Sequence, residues 1–498
     1  MVLFRADLGN EGLFATIIRE RAECEHLCGH DQQAKEFYTQ AIAITDSVME
    51  KAYIYELMIQ FYSDLALFDE AYSISRTVMQ MLEINLPAQF NPLAFMADYG
   101  KLCLKLRQHS IPELLDLPQA VEPRMNIIIR ILSATLKVAY QIKPELCVAI
   151  ATKLLRLCLA HGNTREAVVG YMVFGVIFQG AVKGNHLVGY QYGQLSLALL
   201  DKYDNVRQRA EVNFVYAYFA NSWLYPASDS EQYWHTAYKK GQGIGDRFHT
   251  SCACCSIIQS LFMRGVPLDT VASKARYFLN TVERMGSHEQ AGAIKTVIQA
   301  IHNLKGQTES AVSFSNTDFN EDNFVKSLSS YGSRHFAHYY FINKMQCLYL
   351  QGQYSQALEL SQQSAGYLKD SLGMLHAVEH HFYTALTLAK LHRQANKIQR
   401  YSWLRTIQGT EQQLIAWSEQ CAENFLARRY LLSGEIYRLK GQHFTALKFY
   451  EDANLLAKQY EQVHLQAMAK ELAAELYQSL GQQRTAIFYQ NEARVHYQ

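Results

Sequence analysis

The sharpest chemistry in this 498-residue sequence sits in one short stretch. His376-Ala-Val-Glu379-His380 fits H-x-x-E-H, in which two histidines one helical turn apart grip a zinc ion beside a glutamate base. His381 follows at once and makes the segment a histidine-rich helix face, so a packing role is preferred. A metal-dependent hydrolase is kept as the remote alternative. Cys24, His26, Cys28 and His30 alternate near the start. On a helix Cys24 and Cys28 share a face while His26 points elsewhere, so four ligands do not converge. Cys252, Cys254 and Cys255 could bind soft metals or sense oxidants, but no second Cys-x-x-Cys accompanies them. Small sulfur side chains suit tight helix packing. Gly241, Gly243 and Gly245 imitate a dinucleotide loop, yet Asp246 stands where the third glycine belongs and no strand precedes it. This reads as a turn between repeats.

Larger catalytic signatures are missing. The sequence has no Gly-Lys-Ser or Gly-Lys-Thr to cradle nucleotide phosphates, and no H-R-D or D-F-G element of a kinase. A nucleophile elbow of the G-x-S-x-G kind is also absent. The expectation is a protein that is not an enzyme and carries no cofactor.

What positions these residues is a repeat. Gly29 leads to Ala34 and Ala41, Gly184 to Gly189 and Ser196, and Gly352 to Ala357 and Ser364. Gly441 leads to Ala446 and Ala453, and Gly481 to Ala486 and Ala493, while Ala66, Ala71 and Val78 repeat the offsets with weaker residues. Seven residues is nearly two helical turns, so both small residues lie on one face of a helix that starts after the glycine. Small side chains there let a neighbouring helix approach, which is the content of a tetratricopeptide-like helix pair. Strand signals are nearly absent. The fold class expected is all-α, a tetratricopeptide-like helical-repeat superhelix, or α-solenoid.

Bulk composition fits. A chain this long exceeds one ordinary core, but a solenoid grows because each repeat packs only on its neighbours. Basic residues number 47 and acidic 46, interspersed, so a phosphate backbone is not the expected ligand and no nucleic-acid partner is predicted. No uninterrupted apolar run reaches the ~20 residues of a membrane span, so no membrane partner is expected. The N-terminus carries early charge and lacks the apolar core of a signal peptide, which predicts a cytoplasmic address. Ten cysteines are too dilute for a disulfide scaffold. Along the chain the reading is a helical-repeat block over 1–305, with a proline-containing connector at 84–123. An exposed polar loop over 306–323 and a C-terminal repeat block over 324–498 follow.

Three segments go beyond repeat chemistry: residues 20–42, LLDLPQAVEP at 114–123, and CAENFLARRYLLSGEIYRLKGQ at 421–442. In this order they resemble the helical region that follows the ATPase module in large multidomain signalling kinases. Those proteins combine a serine/threonine kinase, an ATPase, a GAF sensor and often a histidine kinase. The resemblance implies a signalling or scaffolding context and transfers no catalytic residue.

The function expected is therefore a non-catalytic interaction scaffold or regulatory module that binds a protein or peptide on a concave face, a signalling ATPase or kinase being one such partner. The alternative is an effector-sensing array coupled to an ATPase or kinase. Residues 3, 6, 10 and 13 before each turn glycine project inward from the first helix of a pair. Before Gly352 these include Tyr339, Gln346 and Tyr349, and before Gly441 they include Arg428, Glu435 and Arg438. Glu471 and Glu475 hold the matching places before Gly481. This mixed row suits an extended peptide held by aromatic anchors and rim charges.

Overall fold

A computed structural model describes residues 11–497 except Ala66 and Ala88. Ala66 of the repeat spacing and the first ten residues, used for the expected address, lie outside the described residues. The chain is all-α and built of tetratricopeptide-like helix pairs. Among the described residues there are no strands, only isolated bridges such as Gln119 with Asn163. The chain forms two compact units. One comprises the residues up to Phe178 with Gln191–Gln208, the other Gln179–Tyr190 with Arg209–Gln498.

The glycines and small residues act as their spacing implies. Gly29, Gly184, Gly352, Gly441 and Gly481 all have φ between 73° and 82°, the left-handed region that ends a helix and reverses the chain. The small residues that follow are buried: Ala34, Ala41, Ser196, Ala357, Ser364, Ala446 and Ala453 are fully enclosed, and Ala486 and Ala493 nearly so. Gly434 shows how close the helices come. A Cβ there would lie 2.4 Å from the ring of Tyr450 on the next helix, so only glycine fits beneath that ring.

Prolines open helices in the first unit. Pro92, Pro123 and Pro144 each stand in the first turn, where the missing N–H is lost at no cost. Asn91 completes one such start by accepting hydrogen bonds from the N–H groups of Leu93 and Ala94. The 84–123 stretch is thus more than a connector; it contains the helix Pro92–Leu106 and a short 3-10 turn, Pro112–Asp116. Two helical stretches, Pro123–Ile142 and Arg165–Val182, are long and apolar enough to cross a membrane. Their apolar windows are 56% and 67% buried inside the fold, so packing accounts for that apolarity.

In the second unit the helices fall into an inner and an outer layer. Inner helices include Arg247–Met263, Arg334–Leu350, His376–Leu391, Ala422–Leu439 and Val463–Ser479. Two of them are enclosed on all sides: every residue from His249 to Phe262, and every residue from Phe336 to Tyr349, is buried. An outer helix such as His443–Gln459 buries only one stripe, Ala446, Tyr450, Ala453 and Ala457. The 306–323 segment is more than an exposed loop. Phe314 is fully buried, and Glu321 anchors the segment by accepting from the Phe314 N–H at 2.8 Å and pairing with the buried Lys344 ammonium at 2.8 Å.

Candidate functional site

The inward row does face inward, but not onto an open groove. Tyr339, Gln346, Tyr349, Arg428 and Glu435 are buried, and Arg438, Glu471 and Glu475 are half-buried. The chain itself covers Arg428. The turn after helix Arg247–Met263 lies against the late inner helices, with Arg428 donating to the Met263 carbonyl at 3.2 Å. A Cβ on Gly265 in that turn would lie 2.0 Å from Nδ1 of His464.

Five of the eight residues meet around Lys390. Arg438 grips Glu435 through two hydrogen bonds of 2.8 and 2.7 Å and also donates to the Ala389 carbonyl. Tyr450 adds its hydroxyl to the same carboxylate. Burial opposes the charge on Glu435, but Arg438 outweighs it and holds the carboxyl below its ordinary pKa. Burial likewise works against the Lys390 ammonium, but Glu475 and Glu435 keep it charged above its ordinary value. Glu471 accepts from the Tyr497 hydroxyl at 2.8 Å, and Tyr349 lies fully buried beside Tyr354 and Tyr383. These are internally compensated charges, a structural role more than a contact surface.

Arg428 belongs to a second cluster. Its Nε donates to Glu379 at 2.8 Å, and its other groups reach the Asn424 and Met263 carbonyls. Burial raises the Glu379 carboxyl despite Arg428. The glutamate of the H-x-x-E-H stretch is therefore turned onto an arginine. Its two histidines are turned onto serines. His376 Nε2 lies 3.0 Å from Ser371 Oγ, which lies 2.8 Å from His338 Nδ1. His338 Nε2 lies 2.9 Å from Ser364 Oγ, itself 2.8 Å from His380 Nδ1. All five groups of this His–Ser chain are buried. Burial, with neighbouring histidines, lowers the pKa of His338 and His380 to about 3 and that of His376 well below normal. Neutral rings in a polar chain do not converge with Glu379 on one point, and no group of three His, Cys, Asp or Glu among the described residues is placed to hold a metal ion.

The other sequence candidates also resolve into packing. His26 pairs with Asp31 and His30 with Glu25, leaving Cys24 and Cys28 without a shared ligand position. Cys252, Cys254 and Cys255 are buried, and burial pushes the Cys254 thiol up to about 12, far from a reactive thiolate. Gly245 is a left-handed helix end, while a Cβ on Gly241 would lie 2.3 Å from Thr250 Oγ1.

A surface missed by sequence reasoning lies on helix Pro92–Leu106 in the first unit. Leu102 is its buried anchor. On the opposite side Leu93, Met96 and Leu104 are 83%, 60% and 62% exposed, with Ala97 and Gly100 between them. Spacings of three, four, seven and eleven residues put all five on one stripe. Lys101 and Lys105 flank it and make no ion pair among the described residues, while the helix's one carboxylate, Asp98, is paired with Arg156.

No family model matches the chain, and no curated protein matches it in sequence. Solved structures give likenesses of fold. A signal transduction ATPase with numerous domains and a tetratricopeptide repeat sensor, from Pyrococcus horikoshii, aligns at 11% identity and a TM-score of 0.36, covering 87% of this chain and 67% of that one. Yeast Tom70 aligns at 10% identity and 0.31, covering 93% and 96%. A human IFIT1 dimer with PPP-AAAA aligns at 12% identity and 0.33, covering 81% and 95%. At 12% identity or less these likenesses show the fold alone and decide nothing about a protein or nucleic-acid partner.

Proposed function

We propose that this chain is a non-catalytic interaction scaffold, a regulatory module of cytoplasmic signal transduction that docks a protein partner on the stripe of helix Pro92–Leu106. The observation that carries the reading is the row Leu93, Met96, Ala97, Gly100 and Leu104, apolar and open, flanked by Lys101 and Lys105. Burying three large apolar side chains contributes roughly 4–9 kcal/mol, of the same order as the freedom lost on association, so flanking charge pairs are needed for a stable complex. The partner that fits is an amphipathic helix with carboxylates beside its apolar face, carried by a signalling ATPase or kinase. On the inner face, which the sequence favoured for a peptide, Arg428 is engaged by the chain's own turn at Met263–Gly265.

The test is a pull-down from native cytosol with mass spectrometry, comparing the unaltered chain with Leu93→Glu/Leu104→Glu. The variant should keep its far-UV circular dichroism and melting temperature while losing its specific partner. Retention of the same partner by the folded variant would overturn the docking surface.

A further inference from the structure

Helix Lys397–Gln420 holds to the second unit by its later turns alone. Its buried residues are Ile407, Thr410, Leu414 and Ser418. Over 397–406 only Trp403 and Leu404 are half-buried, and every other residue is exposed. At 24 residues this helix outruns the 18-residue helix Ala422–Leu439, to which Cys421 joins it, by about 9 Å. What its free end displays differs from an ordinary solvated face. Ile398 and Tyr401 are 83% and 67% exposed. Around them stand Arg393, Lys397, Arg400 and Arg405, all exposed. Spacings of three and four residues put Ile398, Tyr401 and Arg405 on one stripe, and the Arg405 guanidinium lies over the Tyr401 ring, 5.9 Å from its centroid. Arg400 folds back to donate to the His392 carbonyl at 3.1 Å and the Arg393 carbonyl at 2.5 Å, which pins the preceding turn beside the helix and keeps the cations together.

No carboxylate balances them. The sequence has no Asp or Glu between Glu379 and Glu411. Those two are committed inside the fold, Glu379 to Arg428 and Glu411 to the Ser433 hydroxyl. Glu435 and Glu475 on other helices are taken by Arg438 and Lys390. The near-even total of 47 basic and 46 acidic residues therefore conceals a local surplus of positive charge. Lys397 and Arg400 even occupy the helix's first turn, which has no acidic residue and where the helix dipole opposes cations. An exposed isoleucine and cations set against their own helix meet at one place, and a partner that is both anionic and partly apolar relieves both.

We infer that this end of the helix docks on an anionic lipid surface. Ile398 and Tyr401 enter the boundary between headgroups and acyl chains, the tyrosine hydroxyl staying at the polar level, while the four cations meet lipid phosphates and carboxylates. A nucleic-acid strand would answer the cations, but its bases stack on rings and leave Ile398 unused. Docking of this kind needs no membrane-crossing helix. The surface is separate from the partner stripe on helix Pro92–Leu106 and does not rest on it.

The test is co-sedimentation of the full chain with vesicles of phosphatidylcholine alone, or with about one third phosphatidylserine. The chain should sediment with the anionic vesicles, stay in solution with the neutral ones, and be released by added salt. Each cation at such a surface strengthens binding about fivefold, so Lys397→Gln/Arg405→Gln should weaken it about 25-fold. Ile398→Ser/Tyr401→Ser keeps every charge and should weaken it about tenfold. All four positions are exposed, so both variants should keep the melting temperature of the unaltered chain. Three results would each overturn the inference. One is no sedimentation of the unaltered chain with anionic vesicles, and another is undiminished sedimentation of folded Ile398→Ser/Tyr401→Ser. The third is binding of fluorescein-labelled oligothymidylate that Lys397→Gln/Arg405→Gln abolishes while leaving vesicle binding unweakened.

Discussion

The buried His–Ser chain makes the second unit acid-labile by an amount that can be worked out. His338, His376 and His380 have free-chain pKa values near 6.5, and burial holds them far below that in the fold, to about 3 for His338 and His380. Above pH 6.5 both folded and unfolded chains keep these rings neutral, and their packing contributes in full. As pH falls below 6.5 the unfolded chain takes up protons that the folded chain refuses, and stability drops until the folded rings titrate, near 3 for His338 and His380. Each ring changes stability by about 1.4 kcal/mol per pH unit in that window, or about 2 kcal/mol between pH 7.5 and 5.0. The three together amount to about 6 kcal/mol, a large share of the ~5–15 kcal/mol that holds a typical domain. All four tryptophans lie in the Arg209–Gln498 part of this unit, so urea unfolding followed by their fluorescence reports on it alone. His338→Gln lowers stability at every pH, but it should flatten the pH dependence by about 2 kcal/mol over the same interval. Glu379, pushed up by burial, titrates in the opposite sense and cancels when the two proteins are compared. Equal slopes for the two would refute the assignment of His338 as a buried neutral ring.

Two further outcomes follow from the packing. Gly434→Ala should cost about 1–3 kcal/mol through collision with Tyr450. The next repeat has Ala474 and Gln490 at the matching positions, so a double-mutant cycle with Tyr450→Gln should show positive coupling of at least 1 kcal/mol, and additive effects would mean the two do not touch. Arg438→Glu, harmless on an open groove, should here destabilise by about 3–5 kcal/mol because it leaves the buried Glu435 facing a second carboxylate. Urea unfolding unchanged in that variant would restore the open-groove reading.

The helix pairs were legible because their signals are local. A glycine at a left-handed turn and small residues five and twelve positions later are fixed by the chain's own geometry, and Gly352, Ala357 and Ser364 show it within one pair. The inner row was misplaced because its partners are remote. In helix Arg334–Leu350, Tyr339 is expected on the groove, yet its hydroxyl lies buried 2.9 Å from that of Tyr218, on another repeat. Arg428 is expected as a rim charge, yet it is buried against Glu379. Nothing in local periodicity distinguishes a polar residue that meets water from one that meets a buried partner many residues away. Leu93, Met96 and Leu104 were hidden for the opposite reason: apolar residues at helical spacing are read as core.

The seating of the Met263–Gly265 turn against Arg428 and His464 also bears on how such an array can change its length. An ordinary ladder of repeats gains or loses a rung by duplication or deletion, since each rung feels only its neighbours. Here an early turn is tied to helices that come about 165 and 200 residues later, a span fixed by the repeats between. Removing one intervening pair would shift the later helices off that turn and strip Arg428 of the Met263 carbonyl, so the tie requires one number of rungs between these two points. Copies can be added outside the tie, but not within it.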